Sequence, residues 1–216
     1  MRRKLQDIFE NKSWADGNSP RSGPGSTLEY TRNIRAALPE LFRKYDVRTF
    51  VDAPCGDWTW MQAVDLNGID YLGFDISSSV VTENQRRFSA PGVKFEVADV
   101  TSDVLPKADL FMCRDCLFHL KFWLRWEFFR RFLESGSKYL LTTGHPVDFN
   151  RKQMQNGQFL RFNPTKPPFS FADPLEYIDE ATQVTEDGTI QLAGGPRYIG
   201  LWSREQVRDA VQLAEV

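Results

Sequence analysis

The stretch Phe50-Val51-Asp52-Ala53-Pro54-Cys55-Gly56-Asp57-Trp58 constrains the fold more than any other part of the chain. An apolar run ends in an acid, a tight turn with one glycine follows, and Trp58-Thr59-Trp60-Met61 reads as the start of a helix. That is the strand-turn-helix unit that opens a doubly wound α/β sheet, where backbone N–H groups face a ligand at the carboxyl ends of the strands. A second acid, Asp75, closes the run Tyr71-Leu72-Gly73-Phe74-Asp75 at the place where such folds hold a ribose hydroxyl. One acid at each of two successive strand ends points to a nucleoside-containing cofactor. A nicotinamide dinucleotide would call for the G-x-G-x-x-G fingerprint, whose glycines let a pyrophosphate approach the helix N-terminus. Only Gly56 is present, and a tryptophan at position 58 suits a bulky, doubly charged pyrophosphate poorly.

Two further strand ends follow. Val93 to Val100 reads as a third strand carrying Asp99, and Ala108-Asp109-Leu110-Phe111-Met112-Cys113-Arg114-Asp115-Cys116-Leu117-Phe118-His119-Leu120 as a fourth strand and its turn; Ser137 to Thr143 supplies a fifth. The D-x-P-C-G-D turn resembles motif I of the class I S-adenosylmethionine (SAM)-dependent methyltransferases, usually written D/E-x-G-x-G-x-G, with Pro54 in place of the first glycine and Trp58 in place of the third. The fourth-strand segment resembles the D-L-V-x-x-x-x-V-L-H-H-L pattern of small-molecule methyltransferases. The likeness runs from about position 45 to 145, with four motifs in the family's order.

That resemblance implies a Rossmann-like seven-stranded α/β sheet with helices on both faces, over a single domain spanning 1–216. It implies SAM as cofactor and S-adenosylhomocysteine as product. Asp52 would orient the motif-I loop of Ala53, Pro54, Gly56 and Trp58 and the cofactor's amino-acid end. Asp75, followed by Ile76, would hold the ribose, Asp99 and Val100 the adenine, and Cys113 and Arg114 would border the cofactor at the end of the fourth strand.

Composition narrows the class further. A chain of 216 residues that is 41% hydrophobic suits one α/β domain. Its 27 basic and 29 acidic residues leave a net charge of −2, against the strongly basic balance of a protein that binds by neutralising phosphates. No apolar run reaches membrane-spanning length, Met1-Arg2-Arg3-Lys4 lacks the hydrophobic stretch of a signal peptide, and three cysteines argue against a disulfide framework. These readings point to a cytoplasmic protein that binds neither nucleic acid nor membrane.

Residues 1–30 form a polar arm with a turn-rich centre, Asp16 to Ser26, readable either as a flexible loop or as a lid. Thr27 to Tyr45 reads as a helix with Ser26 or Thr27 as N-cap, so the Gly25-Ser26-Thr27 turn could present N–H groups to a cofactor carboxylate. On the helix around Phe122 to Glu134, Phe122, Trp126, Phe129 and Leu133 form one stripe, widened by Phe128 and Phe132, while Trp123 faces elsewhere as a candidate dimer contact or stacking platform. The irregular segment 144–173 reads as a wall of the acceptor pocket, through Phe159 to Phe162 and Pro168 to Phe171. Leu175 to Ile178 and Arg197 to Trp202 are candidate final strands, forming an antiparallel hairpin.

Methyl transfer to an alcohol calls for a base, and the candidates at the ends of strands four and five are Asp115, His119 and His145. A zinc set from Cys55, Cys113, Cys116 and His119 can be written on paper, and Asp115, Asp148 and Asp173 are available to a divalent cation, but no ligand spacing indicates either. The C-R-D-C-L-F-H-L, D-A-P-C-G-D and G-P-G-S segments together resemble a group of methyltransferases associated with glycan synthesis in bacteria and large DNA viruses, which implies a sugar hydroxyl as acceptor. Methylation of a small metabolite at oxygen or nitrogen, methylation of RNA, and a non-catalytic SAM-binding subunit are the alternatives.

Overall fold

The computed structural model describes residues 2–11, 14, 17–152, 155–185, 188–192 and 195–214. The strands are β1 (Thr49–Asp52), β2 (Asp70–Asp75), β3 (Val93–Val97), β4 (Leu110–Cys113), β5 (Tyr139–Gly144), β6 (Glu176–Asp179), β7 (Thr182–Thr185), β8 (Gly188–Gln191) and β9 (Tyr198–Ser203). Seven of them form one sheet in the order β3-β2-β1-β4-β5-β9-β6, and β7 and β8 pair separately as a hairpin. The pairs from β3 through β5 are parallel, whereas β9 runs antiparallel to both β5 and β6. The two expected final strands are therefore present and antiparallel, with the last one inserted between β5 and its partner.

The parallel strands are apolar on both faces, as buried parallel sheets are. Val51, Phe111 and Leu140 point into one core with α4 (Phe122–Ser135) and α5 (Arg204–Ala214). Phe50, Leu110, Met112 and Leu141 point into the other, with α2 (Arg32–Lys44) and Val81 of α3 (Ser78–Phe88). Helices thus cover both faces. Residue Leu5 of α1 (Arg2–Asn11) is 2% exposed and belongs to the first core, so the arm is anchored in the body of the protein.

Several local expectations are corrected. No α-helix follows Trp58: the chain from β1 to β2 holds only a 3-10 turn, Met61–Ala63. Trp58 itself has φ 57°, a left-handed backbone that breaks a helix, and its ring lies 5.0 Å from Phe88 and 5.3 Å from Phe95. Trp58, Trp60 and Met61 are core anchors on a loop. The predicted helix over 27–45 begins at Arg32, because Pro24–Ser26 is a 3-10 turn and the hydroxyl of Thr27 accepts from Tyr30 N at 3.1 Å. On α4 the fully buried positions are Arg125, Phe128, Phe129 and Phe132, with Leu124 beside them, while Phe122, Trp126 and Leu133 are only partly covered. In the segment after β5, Phe162, Phe169 and Phe171 pack into the core around α4 and Trp202 rather than walling a pocket.

Candidate cofactor and acceptor crevice

The carboxyl ends of β1, β2, β3 and β4 open into a cavity of about 480 Å³, within the range of small-molecule sites. Asp52, Asp75 and Asp99 all line it. Asp75 Oδ2 accepts from Gly56 N at 3.1 Å and Oδ1 from Ser77 N at 2.9 Å, so one carboxylate fixes both the motif turn and the start of α3. Gly56 has φ 56°, and a Cβ there would come within 3.1 Å of Ser22 Cβ, which explains the one retained glycine. Burial pushes the Asp75 carboxyl up to about 6. It pushes Asp52 up to about 7, although Asp52 Oδ2 accepts from Tyr71 Oη at 2.8 Å. Asp99 Oδ1 accepts from the amide and hydroxyl of Thr101, at 2.9 and 2.6 Å.

The arm roofs this cavity. Ser22 donates to Asp57 from its amide (3.1 Å) and its hydroxyl (2.8 Å), Arg21 Nη2 donates to Ser79 Oγ at 2.6 Å, and Arg114 Nη2 donates to Gly25 O at 2.8 Å. Leu5, Trp14, Gly25 and Ser26 join Pro54, Ile76, Val100 and Arg114 in the lining. At the β4 end, Phe118, His119 and Phe159 form an aromatic margin with Trp14, whose ring lies 4.6 Å from that of His119. Phe159 is 51% exposed, which leaves this margin open to a second ligand.

Five expected site residues do not line the cavity: Thr27, Ala53, Trp58, Cys113 and His145. Ala53 and Cys113 point into the core beneath the strand ends, and Trp58 into the opposite core. His145 is 1% exposed behind Phe118 and Phe159; its Nδ1 accepts from Phe162 N at 3.2 Å. Burial, reinforced by the charge of Arg197, brings it down to about 4, so it is neutral and weakly basic at neutral pH. Cys55 and Cys113 lie in different cores, which dismantles the four-ligand zinc set. Among the described residues no group of three His, Cys, Asp or Glu side chains is arranged to hold a metal ion, and no helix is long and apolar enough to cross a membrane.

Asp115 does line the cavity, with φ 54°, in a setting unlike the one expected. Arg114 Nη1 lies 3.2 Å from its Oδ2, Arg197 Nη1 lies 3.1 Å from its Oδ1, and Thr143 Oγ1 donates to Oδ1 at 3.1 Å. Burial alone would raise this carboxyl, but the two guanidinium groups hold it at about 2. Such a group stays ionised and accepts hydrogen bonds, yet takes up a proton poorly. Sequence reading missed Arg197, Tyr30, Trp60 and Glu180 altogether. The first three line the cavity, and Glu180 is fully buried behind it. The one available signal was the position of Arg197 at the start of the last strand run, whose register delivers it to the crevice.

No family model and no curated protein matches this chain. Solved structures do. Magnesium protoporphyrin IX methyltransferase from Synechocystis PCC 6803, with bound S-adenosylhomocysteine, superposes with a TM-score of 0.63 at 13% identity over 94% of this chain and 100% of that one. The methyltransferase domain of bacterial CtHen1 gives 0.57 at 9% identity, over 81% and 99%. The fold is that of the SAM-dependent methyltransferases. A protein of Pyrococcus horikoshii OT3, PH0226, is also similar, at TM-score 0.54 and 15% identity over 88% and 94%.

Proposed function

We propose that this protein is a SAM-dependent methyltransferase that methylates a hydroxyl of a sugar within a glycan. The observation that carries the cofactor assignment is the convergence of Asp52, Asp75 and Asp99 on one roofed cavity at three successive strand ends. The residues fit the group: acids for a cationic amino acid and a ribose, and apolar Leu5, Ile76, Val80 and Ala98 for a purine. SAM, when bound, supplies an activated methyl group on a sulfonium centre.

The chain's own residues then have to hold an acceptor in line with that methyl group and receive its proton. The aromatic margin of Trp14, Phe118 and Phe159 suits the C–H faces of a sugar ring. Asp115 is placed to accept a hydrogen bond from a hydroxyl. His119 is the base in this reading: its ring lines the cavity, with Nδ1 3.4 Å from Gln158 O. Imidazole is the commonest proton acceptor at neutral pH.

The direct test is a methyl-transfer screen with labelled SAM over free sugars, oligosaccharides, small amines and RNA. Label in an oligosaccharide that survives as a methyl ether on hydrolysis supports the proposal. Label only in amines or RNA replaces the acceptor, and no S-adenosylhomocysteine formed with any acceptor leaves a cofactor-binding subunit. Removal of residues 1–27 supplies a second test, because it deletes Ser22, Gly25 and the anchor Leu5. Loss of the Ser22 and Gly25 contacts to charged partners should weaken S-adenosylhomocysteine binding by about tenfold or more in calorimetry, with the far-ultraviolet circular dichroism of the sheet retained. Parent-like binding by the folded truncation would make the arm a bystander.

A further inference from the structure

Four charged side chains from three parts of the chain, the adjacent Arg114 and Asp115 with Glu180 and Arg197, meet beside the crevice. Glu180, in the turn between β6 and β7, is 0% exposed. Its Oε1 accepts from Arg114 Nε at 2.9 Å, and its Oε2 accepts from Arg197 Nε at 3.1 Å and from Arg197 Nη2. The same two guanidinium groups converge on Asp115 from the other side. Two cations and two anions close a ring of neutral total charge, the condition under which buried ions are tolerated. Arg197 also lies 4.6 Å from the Tyr30 ring and Arg114 5.3 Å from the Trp60 ring.

Besides the contact at Tyr30, the charged cluster reaches the arm at Gly25. Arg114 Nη2 donates to Gly25 O at 2.8 Å. Gly25 sits so close that a Cβ on it would lie 2.9 Å from Asp115 Oδ2 and 3.7 Å from Arg197 Nη1. Asp115 in turn carries a positive φ of 54°, an uncommon backbone for a residue with a side chain, which persists only where surrounding contacts impose it. Those contacts are the two arginines and Thr143, whose hydroxyl also accepts from Asp115 N at 3.0 Å.

We infer that Glu180 is a positioning residue that fastens the arm over the crevice and sets the direction of the Asp115 carboxylate, so that roof and acceptor-side wall are held as one unit. Glu180 is not part of the cavity lining and acts through Arg114 and Arg197. Without its charge, the two guanidinium groups share Asp115 alone. Arg114 then turns from Gly25 O, and the arm is released at the point where no side chain could wedge it. The inference concerns the protein without ligand and stands whether or not a sugar is the acceptor.

The test is segment-resolved amide hydrogen exchange on the full chain, without cofactor. In Glu180→Gln, residues 21–27 should exchange about tenfold faster or more, as expected for loss of a hydrogen bond to a charged group, while β1 and β4 keep parent rates. Parent-like protection of residues 21–27 would overturn the proposal, and so would uniform loosening of β1 and β4 along with the arm. Because Glu180→Gln removes a buried charge and can fail to fold, Gly25→Val approaches the ring from the arm side. Coupling is reciprocal, so its added bulk should speed exchange at Asp115 and at residues 180–181, far away in sequence. Exchange confined to the arm in Gly25→Val would show that the ring does not connect the two, and would equally overturn it. A null result in the methyl-transfer screen changes neither readout.

Discussion

Replacing Asp75 with alanine should lower the affinity for SAM by about tenfold to a hundredfold, measured by calorimetry. Hydrogen bonds to a charged group contribute about 1.5–3 kcal/mol each. Asp75 would supply such bonds to a ribose while also holding Gly56 N and Ser77 N in place. The variant therefore loses ligand contacts and the shape of the turn together. Proton linkage gives a second readout. Burial raises Asp75 to about 6 and Asp52 to about 7. Both are neutral at low pH and ionise as pH rises through that window. A cationic ligand prefers them ionised, so SAM binding to the parent should tighten between pH 5.5 and pH 8 on the order of tenfold. The slope should flatten in Asp75→Ala. Unchanged affinity in that variant would remove the basis for placing a nucleoside in this cavity.

The largest effect on turnover is expected from His119→Ala, a loss of about 10²–10⁴-fold in kcat with S-adenosylhomocysteine affinity close to that of the parent. Asp115→Asn should instead act mainly through KM, because a carboxylate held at about 2 by two arginines contributes a hydrogen-bond acceptor rather than a proton sink. Equal loss of kcat in Asp115→Asn with a silent His119→Ala would exchange the two roles. If neither variant slows turnover, no base is required and an amine becomes the better acceptor.

The strand layout was legible because each apolar run at the crevice stops at an acid or a polar turn, a pattern set by the sheet's two buried faces. The acids Asp52, Asp75 and Asp99 accordingly arrive where the sequence puts them. The region after Trp58 was not legible in the same way: Trp58 stands where the first helix of such a unit would start, yet its positive φ belongs to a loop pinned by aromatic packing. The arm's polar, glycine-rich composition announces irregular structure and says nothing of Leu5 lodged in the core. Arg197 and Glu180 were invisible for a simpler reason. Charged residues outside a motif ordinarily belong to the surface, and only tertiary pairing makes their burial tolerable.

The insertion of β9 between β5 and β6 bears on the order in which the molecule can be assembled during translation. A nascent chain emerging through Gly144 has the strands β1 to β5 and both Asp75 and Asp99, so the cofactor half of the crevice can form early. The neighbour that covers the exposed edge of β5 is supplied only by Tyr198–Ser203, more than fifty residues later, and Arg197 immediately precedes it. Until that strand slots in, β5 offers an open edge of the kind that recruits other chains. Arg114 and Asp115 likewise wait for their distant counter-charges. Completion of the sheet and completion of the charged ring are thus one event, late in synthesis, and a chain interrupted before Arg197 leaves Asp115 with only Arg114 and Thr143 to orient it.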